Sequence, residues 1–315
     1  MAELKLKTVF RPDGHTEPLR IQTIKPKTFE IDYVDVPVLI QAFRRMVRGL
    51  EFDICELAMT TYICAKAYGK RFTAIPVFPA RVFHHGAIVY NMKSGIRNPK
   101  DLEGKRVGVH RGYTVTTGVW IRGILQHQYG VDLNKITWLL SCDEHVAEFR
   151  APSNVVPIEK GQNLEAMIVS GEIPAAVNVD VEHPDVKPLI LNPAQAGFEA
   201  LRTSGHYPIN HTVVVKDELL EAHPGLAEDI FNAFAAAKRL YLERLRNAQI
   251  AAPTKTDERY KRVMEITGAD PLPYGIAPNR RMIDTVLQYA TDQKILDRRL
   301  SMEELFAPGT LELVG

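Results

Sequence analysis

Side chains that can move protons or hold a carboxylate group occur at two places in the sequence. Arg81 is followed closely by His84 and His85, and His206 and His211 form a second group much later in the chain. Imidazoles exchange protons near neutral pH, and a guanidinium can donate two parallel hydrogen bonds to a carboxylate. Acid–base chemistry next to a carboxylate is therefore one interpretation. Structural histidines and a surface arginine are the alternative.

The stretch from Val107 to Gly118 predicts an anion-binding site. Arg106–Val109 has the pattern of a short buried strand, a glycine-containing turn follows, and Tyr113–Thr117 is expected to begin a helix. Backbone N–H groups and hydroxyls at the positive end of a helix favour a bound anion. Arg111 adds a planar guanidinium suited to a carboxylate. An ordinary strand-to-helix turn is the alternative interpretation for this set, which comprises Arg111, Tyr113, Thr114 and Thr116.

Three further polar residues are candidates for substrate binding. Glu56 and Thr60 are expected where a strand meets a helix, and Asn210 lies beside His211. A metal held by the histidines stays open, but the sequence has no HxH or HExxH spacing of the kind that binds zinc. The predicted chemistry uses neither a metal nor an organic cofactor.

The order of predicted elements indicates an α/β protein. Strands and helices alternate as β-α-β-α-β over about the first 80 residues, which favours a parallel or mixed sheet covered by helices. The formal net charge of +1 gives no sign of a nucleic-acid partner. No apolar stretch is long enough to span a membrane and the N-terminal residues lack a signal-peptide pattern, so a cytoplasmic location is expected.

Several motifs resemble those of known families. DLEGKRVGV (residues 101–109) and the segment HPGLAEDIFNAFAAAK, which begins at His223, resemble type II periplasmic solute-binding proteins. A closer resemblance, to the 4,5-dihydroxyphthalate decarboxylases, rests on Asp53–Leu57, Pro76–His85 and Tyr207–His211. The resemblance implies a two-lobe periplasmic-binding-protein-like fold with the ligand in an interlobe cleft. Lobe 1 is then expected over residues 1–92 and 207–315, and lobe 2 over 93–206.

The same resemblance implies a function. It points to a carboxy-lyase that converts a hydroxylated aromatic dicarboxylate, such as 4,5-dihydroxyphthalate, to 3,4-dihydroxybenzoate and CO2 without a cofactor. The implied partner is this small aromatic carboxylate, and homo-oligomerisation is left open. Because both histidine groups flank the expected lobe crossings, we predict that at least one of His84 and His85 and at least one of His206 and His211 face the same cleft. The alternative function is a solute-binding module for an aromatic or heteroaromatic acid.

Overall fold

A computed structural model describes residues 4–315, which divide into two compact units. The first unit contains the chain up to Arg81, Ile209–Asp284 and Leu300–Gly315. The second contains Val82–Pro208 and Thr285–Arg299. Within residues 4–315, no helix is long and apolar enough to cross a membrane.

The strands are short, and many of their side chains are buried. In chain order they are β1 (Lys5–Val9), β2 (Glu30–Tyr33), β3 (Ile54–Ala58), β4 (Phe72–Ile75), β5 (Ile88–Asn91), β6 (Arg106–Val109), β7 (Thr137–Leu140), β8 (Val155–Pro157), β9 (Ala175–Val177), β10 (Val186–Pro188) and β11 (His211–Lys216).

The helices connect these strands and form the C-terminal part of the chain. They are α1 (Glu17–Arg20), α2 (Leu39–Gly49), α3 (Met59–Ala67), α4 (Thr116–Tyr129), α5 (Leu164–Ser170), α6 (Pro193–Ser204), α7 (Asp217–Ala222), α8 (Leu226–Arg246), α9 (Lys255–Thr267), α10 (Arg280–Asp292) and α11 (Met302–Leu305).

The first unit is built on a mixed sheet in the order β2-β1-β3-β11-β4. Strand β1 is parallel to β2 and β3, whereas β11 runs antiparallel to β3 and β4. All five residues of β3 are buried, as expected for a central strand covered on both faces. The predicted α/β class is confirmed, and Glu56 lies in the middle of β3 rather than at its junction with a helix.

The second unit has its own sheet, in the order β10-β5-β9-β6-β7-β8. Strands β9, β6, β7 and β8 are parallel to one another, and β5 is antiparallel to β9 and β10. Leu139, Leu164 and Ile173 belong to one apolar cluster against this sheet. Gly108 in β6 leaves the room for this packing, because a Cβ there would lie 2.7 Å from Leu164.

Three segments group differently from the lobes expected from sequence, and the shortest of them is residues 207–208, which belong to the second unit. Residues 82–92 belong to the second unit, because β5 is hydrogen-bonded between β9 and β10. Thr285–Arg299 also belongs to it, and there Tyr289 contacts Trp120 while Gln293 accepts a hydrogen bond from Arg122. Sequence patterns are local and carry no signal for these long-range pairings.

Two local predictions were wrong. The sequence of residues 81–90 predicts one extended segment, but a 3-10 turn covers His85–Ala87 and the strand begins only at Ile88. Helix α4 begins at Thr116 and not at Tyr113. The N–H groups of Tyr113 and Thr114 instead donate to a side chain from another part of the unit, as described below.

Candidate functional site

A buried carboxylate–imidazole pair lies in the first unit. Nδ1 of His211 is 2.5 Å from Oε1 of Glu56, and Oε2 of Glu56 accepts the backbone N–H of Arg11 at 2.8 Å. The sheet register positions the pair, since His211 is opposite Ala58, two residues beyond Glu56. Burial acts to raise the pKa of Glu56, but its hydrogen bond to His211 and the imidazole charge, with the N–H of Arg11, bring that pKa below its ordinary value. The ring edge of Phe43 contacts His211 at a centroid distance of 5.2 Å.

Arg81 and Asn210 lie beside this pair. Arg81 forms a backbone bridge with Ile209, and its buried guanidinium donates to Oδ1 of Asn279. The backbone carbonyl of Asn210 accepts the N–H of Met59 at 2.9 Å, while its buried side-chain Oδ1 has no hydrogen-bond partner among the described residues. The structure therefore brings Glu56, Arg81, Asn210 and His211 to neighbouring positions in one unit.

The turn after β1 adds two groups that sequence reasoning missed. His15 is almost fully buried, and burial lowers its pKa to about 4, so its imidazole is neutral at pH 7. Its Nε2 atom has no hydrogen-bond partner in the part of the chain that the structure describes. Burial and the charge of Glu56 raise the pKa of Asp13. A signal existed in the sequence, because the carboxyl ends of β1 and β3 share one edge of a parallel pair, where ligand sites are common.

Thr60, another candidate of the sequence analysis, is buried in the first turn of α3.

Two candidate histidines pack on Trp120 in the second unit, and a third contacts one of them. The ring of His84 lies parallel to that of Trp120 at 6.5 Å, and the His206 ring meets Trp120 edge-on at 5.4 Å. His85 contacts His206 at a centroid distance of 6.2 Å, and its Nε2 is 3.0 Å from Oε1 of Gln128. Burial lowers the pKa of His85 below its ordinary value.

The predicted anion site holds a carboxylate of the protein itself. Glu144 accepts the N–H of Tyr113 through Oε1, and through Oε2 it accepts the N–H of Thr114 at 3.1 Å and its hydroxyl at 2.6 Å. Arg111 precedes this turn with a left-handed φ of 76°, and its N–H donates to Oγ of Ser141. Donors of the predicted kind are present, but Glu144 could not be anticipated from the local pattern.

The candidate residues are thus distributed over both units. The first unit contains Glu56, Thr60, Arg81, Asn210 and His211, and the second contains His84, His85, Arg111, Tyr113, Thr114, Thr116 and His206. That at least one histidine of each group faces the same cleft stays a prediction. Within residues 4–315, no group of three or more His, Cys, Asp or Glu side chains is arranged to hold a metal ion.

The fold resembles those of solved periplasmic binding proteins. The aliphatic sulphonate binding protein SsuA from Escherichia coli matches over 98% of this chain and 99% of its own, with a TM-score of 0.54 and 12% identity. The desulfurization enzyme DSZB matches over 98% of both chains, with the same TM-score and identity. The predicted periplasmic-binding-protein-like fold is confirmed.

Two relatives in sequence carry one name, 4,5-dihydroxyphthalate decarboxylase. The protein from Comamonas testosteroni is 31% identical over 303 residues, covering 90% of this chain and 92% of that protein. The protein from Pseudomonas putida is 30% identical over 203 residues, covering 58% of this chain and 78% of that protein. No family model matches the sequence. On the strength of the two relatives, the chain belongs to the 4,5-dihydroxyphthalate decarboxylase family.

Proposed function

We propose that this protein is a carboxy-lyase that converts 4,5-dihydroxyphthalate to 3,4-dihydroxybenzoate and CO2. Membership of the decarboxylase family supports the reaction. The observation that carries the proposal within this chain is the buried Glu56–His211 pair. A carboxylate that orients an imidazole through one nitrogen leaves the other nitrogen for proton transfer.

The reaction needs a proton donor more than any other group. A general base takes the proton from the hydroxyl para to the departing carboxylate, which places electron density on the ring carbon that bears this carboxylate, and the base returns the proton to the phenolate after CO2 has left. A general acid then protonates that carbon, the bond to the carboxylate carbon breaks, and CO2 leaves as the ring regains aromaticity. The electron pair of the broken bond returns to the ring, so no electrons are exchanged with a cofactor.

We assign the proton-donating role to His211. In its protonated form, His211 holds one proton on Nδ1 against the ionised Glu56 and can deliver the other from Nε2 to the ring carbon. The hydrogen bond to His211 and the imidazole charge help to hold the pKa of Glu56 below its ordinary value, which keeps this carboxylate charged at neutral pH. Glu56 is thereby a positioning residue for His211.

Carboxylate binding is assigned to the cationic and amide groups near the pair. The Arg81 guanidinium is buried, and a buried cation is favoured by an anionic ligand. Asn210 contributes the polar side chain beside His211. In the second unit, Arg111 and the segment Tyr113–Thr116 remain proposed carboxylate-binding residues, as do His84, His85 and His206 as alternative proton-transfer groups. Variants of these residues should be tested in the same decarboxylation assay as the His211 variant.

Incubation with 4,5-dihydroxyphthalate tests the proposal, with CO2 release and 3,4-dihydroxybenzoate formation as the readouts. Turnover by the wild-type protein is expected, together with its loss in His211→Asn. Tight calorimetric binding of the compound with no CO2 would instead indicate the solute-binding alternative. A cytoplasmic site for the reaction also stays a prediction, which cell fractionation checks.

A further inference from the structure

Glu144 occupies the backbone donors that a carboxylate ligand would use. Its two oxygens accept three hydrogen bonds from the N–H groups of Tyr113 and Thr114 and from the Thr114 hydroxyl. The approach requires glycine at position 112, because a Cβ there would lie 2.5 Å from Oε2 of Glu144. A carboxylate is thus seen bound in this turn, and it is supplied by the irregular segment between β7 and β8.

A buried cation lies directly behind the same turn. Arg122 is fully buried, its Cζ is 3.9 Å from the centre of the Tyr113 ring, and its guanidinium donates to the Tyr113 carbonyl. Among residues 4–315 its Nη1 atom has no hydrogen-bond partner, and it lies against Gly118 in the first turn of α4, where a Cβ would be 2.9 Å away.

The charges of Arg122 and Glu144 attract each other. Burial lowers the pKa of Arg122, whereas the charges of Tyr113 and Glu144 act in the opposite direction. A buried guanidinium close to a helix N-terminus gives the turn a positive potential that favours any carboxylate at this position.

We propose that Glu144 is a displaceable internal carboxylate, which fills the Tyr113–Thr114 site in the free protein and must leave when the carboxylate of an aromatic acid binds there. The identity of the incoming group rests on the proposed function. Glu144 then sets the affinity and selectivity of the site, since a ligand has to bind more favourably than a carboxylate that is already tethered. Neutral ring compounds cannot replace it without leaving three donors and a buried cation unsatisfied.

The expected change in ligand affinity follows from competition between Glu144 and the ligand for the same hydrogen-bond donors. If the turn is free of Glu144 in only about 1–10% of molecules, the apparent dissociation constant is about 10- to 100-fold weaker than that of the open site. Removing the internal carboxylate should recover this factor. A residue that merely stabilises the turn would have the opposite effect, because its loss would disorder the donors and weaken binding.

The test is calorimetric titration of Glu144→Gln and Glu144→Ala with phthalate, which has the carboxylates but not the hydroxyls of the proposed substrate. Both variants should bind phthalate about 10- to 100-fold more tightly than the wild type. Glu159→Ala is the matched control, since Glu159 is exposed in the same part of the unit and its removal changes the net charge equally. The control should bind like the wild type. Unchanged or weaker binding in both Glu144 variants overturns the proposal.

A second measurement uses only wild-type protein, in case the variants fold poorly. Phthalate should increase amide hydrogen exchange in residues 141–150, which lose the Glu144 anchor, and should leave β6 unchanged. No change in residues 141–150 at saturating phthalate would contradict displacement. Because phthalate binding requires no turnover, this test is independent of the decarboxylation assay. Displacement of Glu144 can be observed in a protein that releases no CO2, and an active decarboxylase can show no displacement.

Discussion

Nδ1 of His211 lies 2.5 Å from Oε1 of Glu56 in the interior of the first unit, where both side chains are buried. The pair is formed by antiparallel pairing of β11 with β3, two strands that are far apart in the sequence. A buried carboxylate with a depressed pKa next to an imidazole is uncommon away from functional sites, and that is why the proposed proton transfer is placed there.

The first prediction concerns the rate of turnover. His211→Asn removes the proton donor, and the expected fall in kcat is about 100- to 10,000-fold, the usual contribution of a general acid. Glu56→Gln should also lower kcat, since the imidazole loses its orienting carboxylate, with a smaller change in KM. Steady-state kinetics on 4,5-dihydroxyphthalate measure both constants.

His223→Asn is the control for these variants, because His223 is a partly exposed histidine of the same unit. It should turn over at the wild-type rate. Wild-type kcat in His211→Asn would remove His211 from the mechanism, and the same assay on His84, His85 and His206 variants would then identify the donor.

The second prediction concerns stability against pH. Burial holds the pKa of His15 at about 4, below its ordinary value of 6.5. Between these values the unfolded chain takes up a proton that the folded protein does not. The contribution of neutral His15 is therefore complete above pH 6.5 and is lost as the pH falls towards 4, by on the order of 3 kcal/mol.

Urea unfolding of the wild type and of His15→Phe, from pH 7 to pH 4.5, measures this contribution. Phenylalanine keeps the ring contacts to Tyr241 and Tyr260 but cannot titrate. The free energy of unfolding should fall by roughly 2–3 kcal/mol more in the wild type than in the variant. Parallel pH profiles would show that His15 does not stay neutral in the folded protein.

Local sequence patterns predicted the elements well where packing and pattern agree. The alternating residues of β1 and the amphipathic spacing of α2 both predicted the observed element. Helix α4 was expected to begin earlier, at Tyr113, because the Thr-rich segment resembles a helix start. The helix begins only at Thr116 because the backbone of Val115 is extended, with a ψ of 134°.

Only part of the candidate site could be predicted from the sequence. Side-chain chemistry pointed to Glu56 and His211, and the sheet register joins them. The segment from Arg11 to His15 has the sequence pattern of a turn, and that pattern does not reveal the burial of His15, which depends on contacts with α8 and α9. The helical sequence pattern around Trp120 likewise gives no sign that the rings of His84 and His206 pack on this residue.

The third prediction compares two glycines in helices. A Cβ at Gly123 in α4 would collide with the ring of Tyr289, whereas a Cβ at Gly49 in α2 would meet open space. Gly123→Ala should therefore destabilise the protein by about 1–3 kcal/mol, as overpacking does. Gly49→Ala should be neutral or stabilising by up to about 1 kcal/mol. Thermal unfolding followed by circular dichroism measures both, and a Gly123→Ala protein as stable as the wild type would contradict the close packing of Tyr289 on α4.

The last prediction separates the backbone of Arg111 from its side chain. Arg111 has a left-handed φ of 76°, which costs a residue with a Cβ about 1 kcal/mol relative to glycine. Arg111→Gly should consequently be more stable to urea than Arg111→Ala by about that amount.

Both Arg111 variants lose the guanidinium proposed to bind a substrate carboxylate. They should raise KM equally, by about 10- to 100-fold, since hydrogen bonds to charged groups contribute about 1.5–3 kcal/mol. Arg106→Ala is the control, because Arg106 is an exposed arginine of the same unit. A KM increase in Arg111→Ala that Arg111→Gly does not share would trace the effect to the strained turn, and unchanged KM in both would exclude Arg111 from substrate binding.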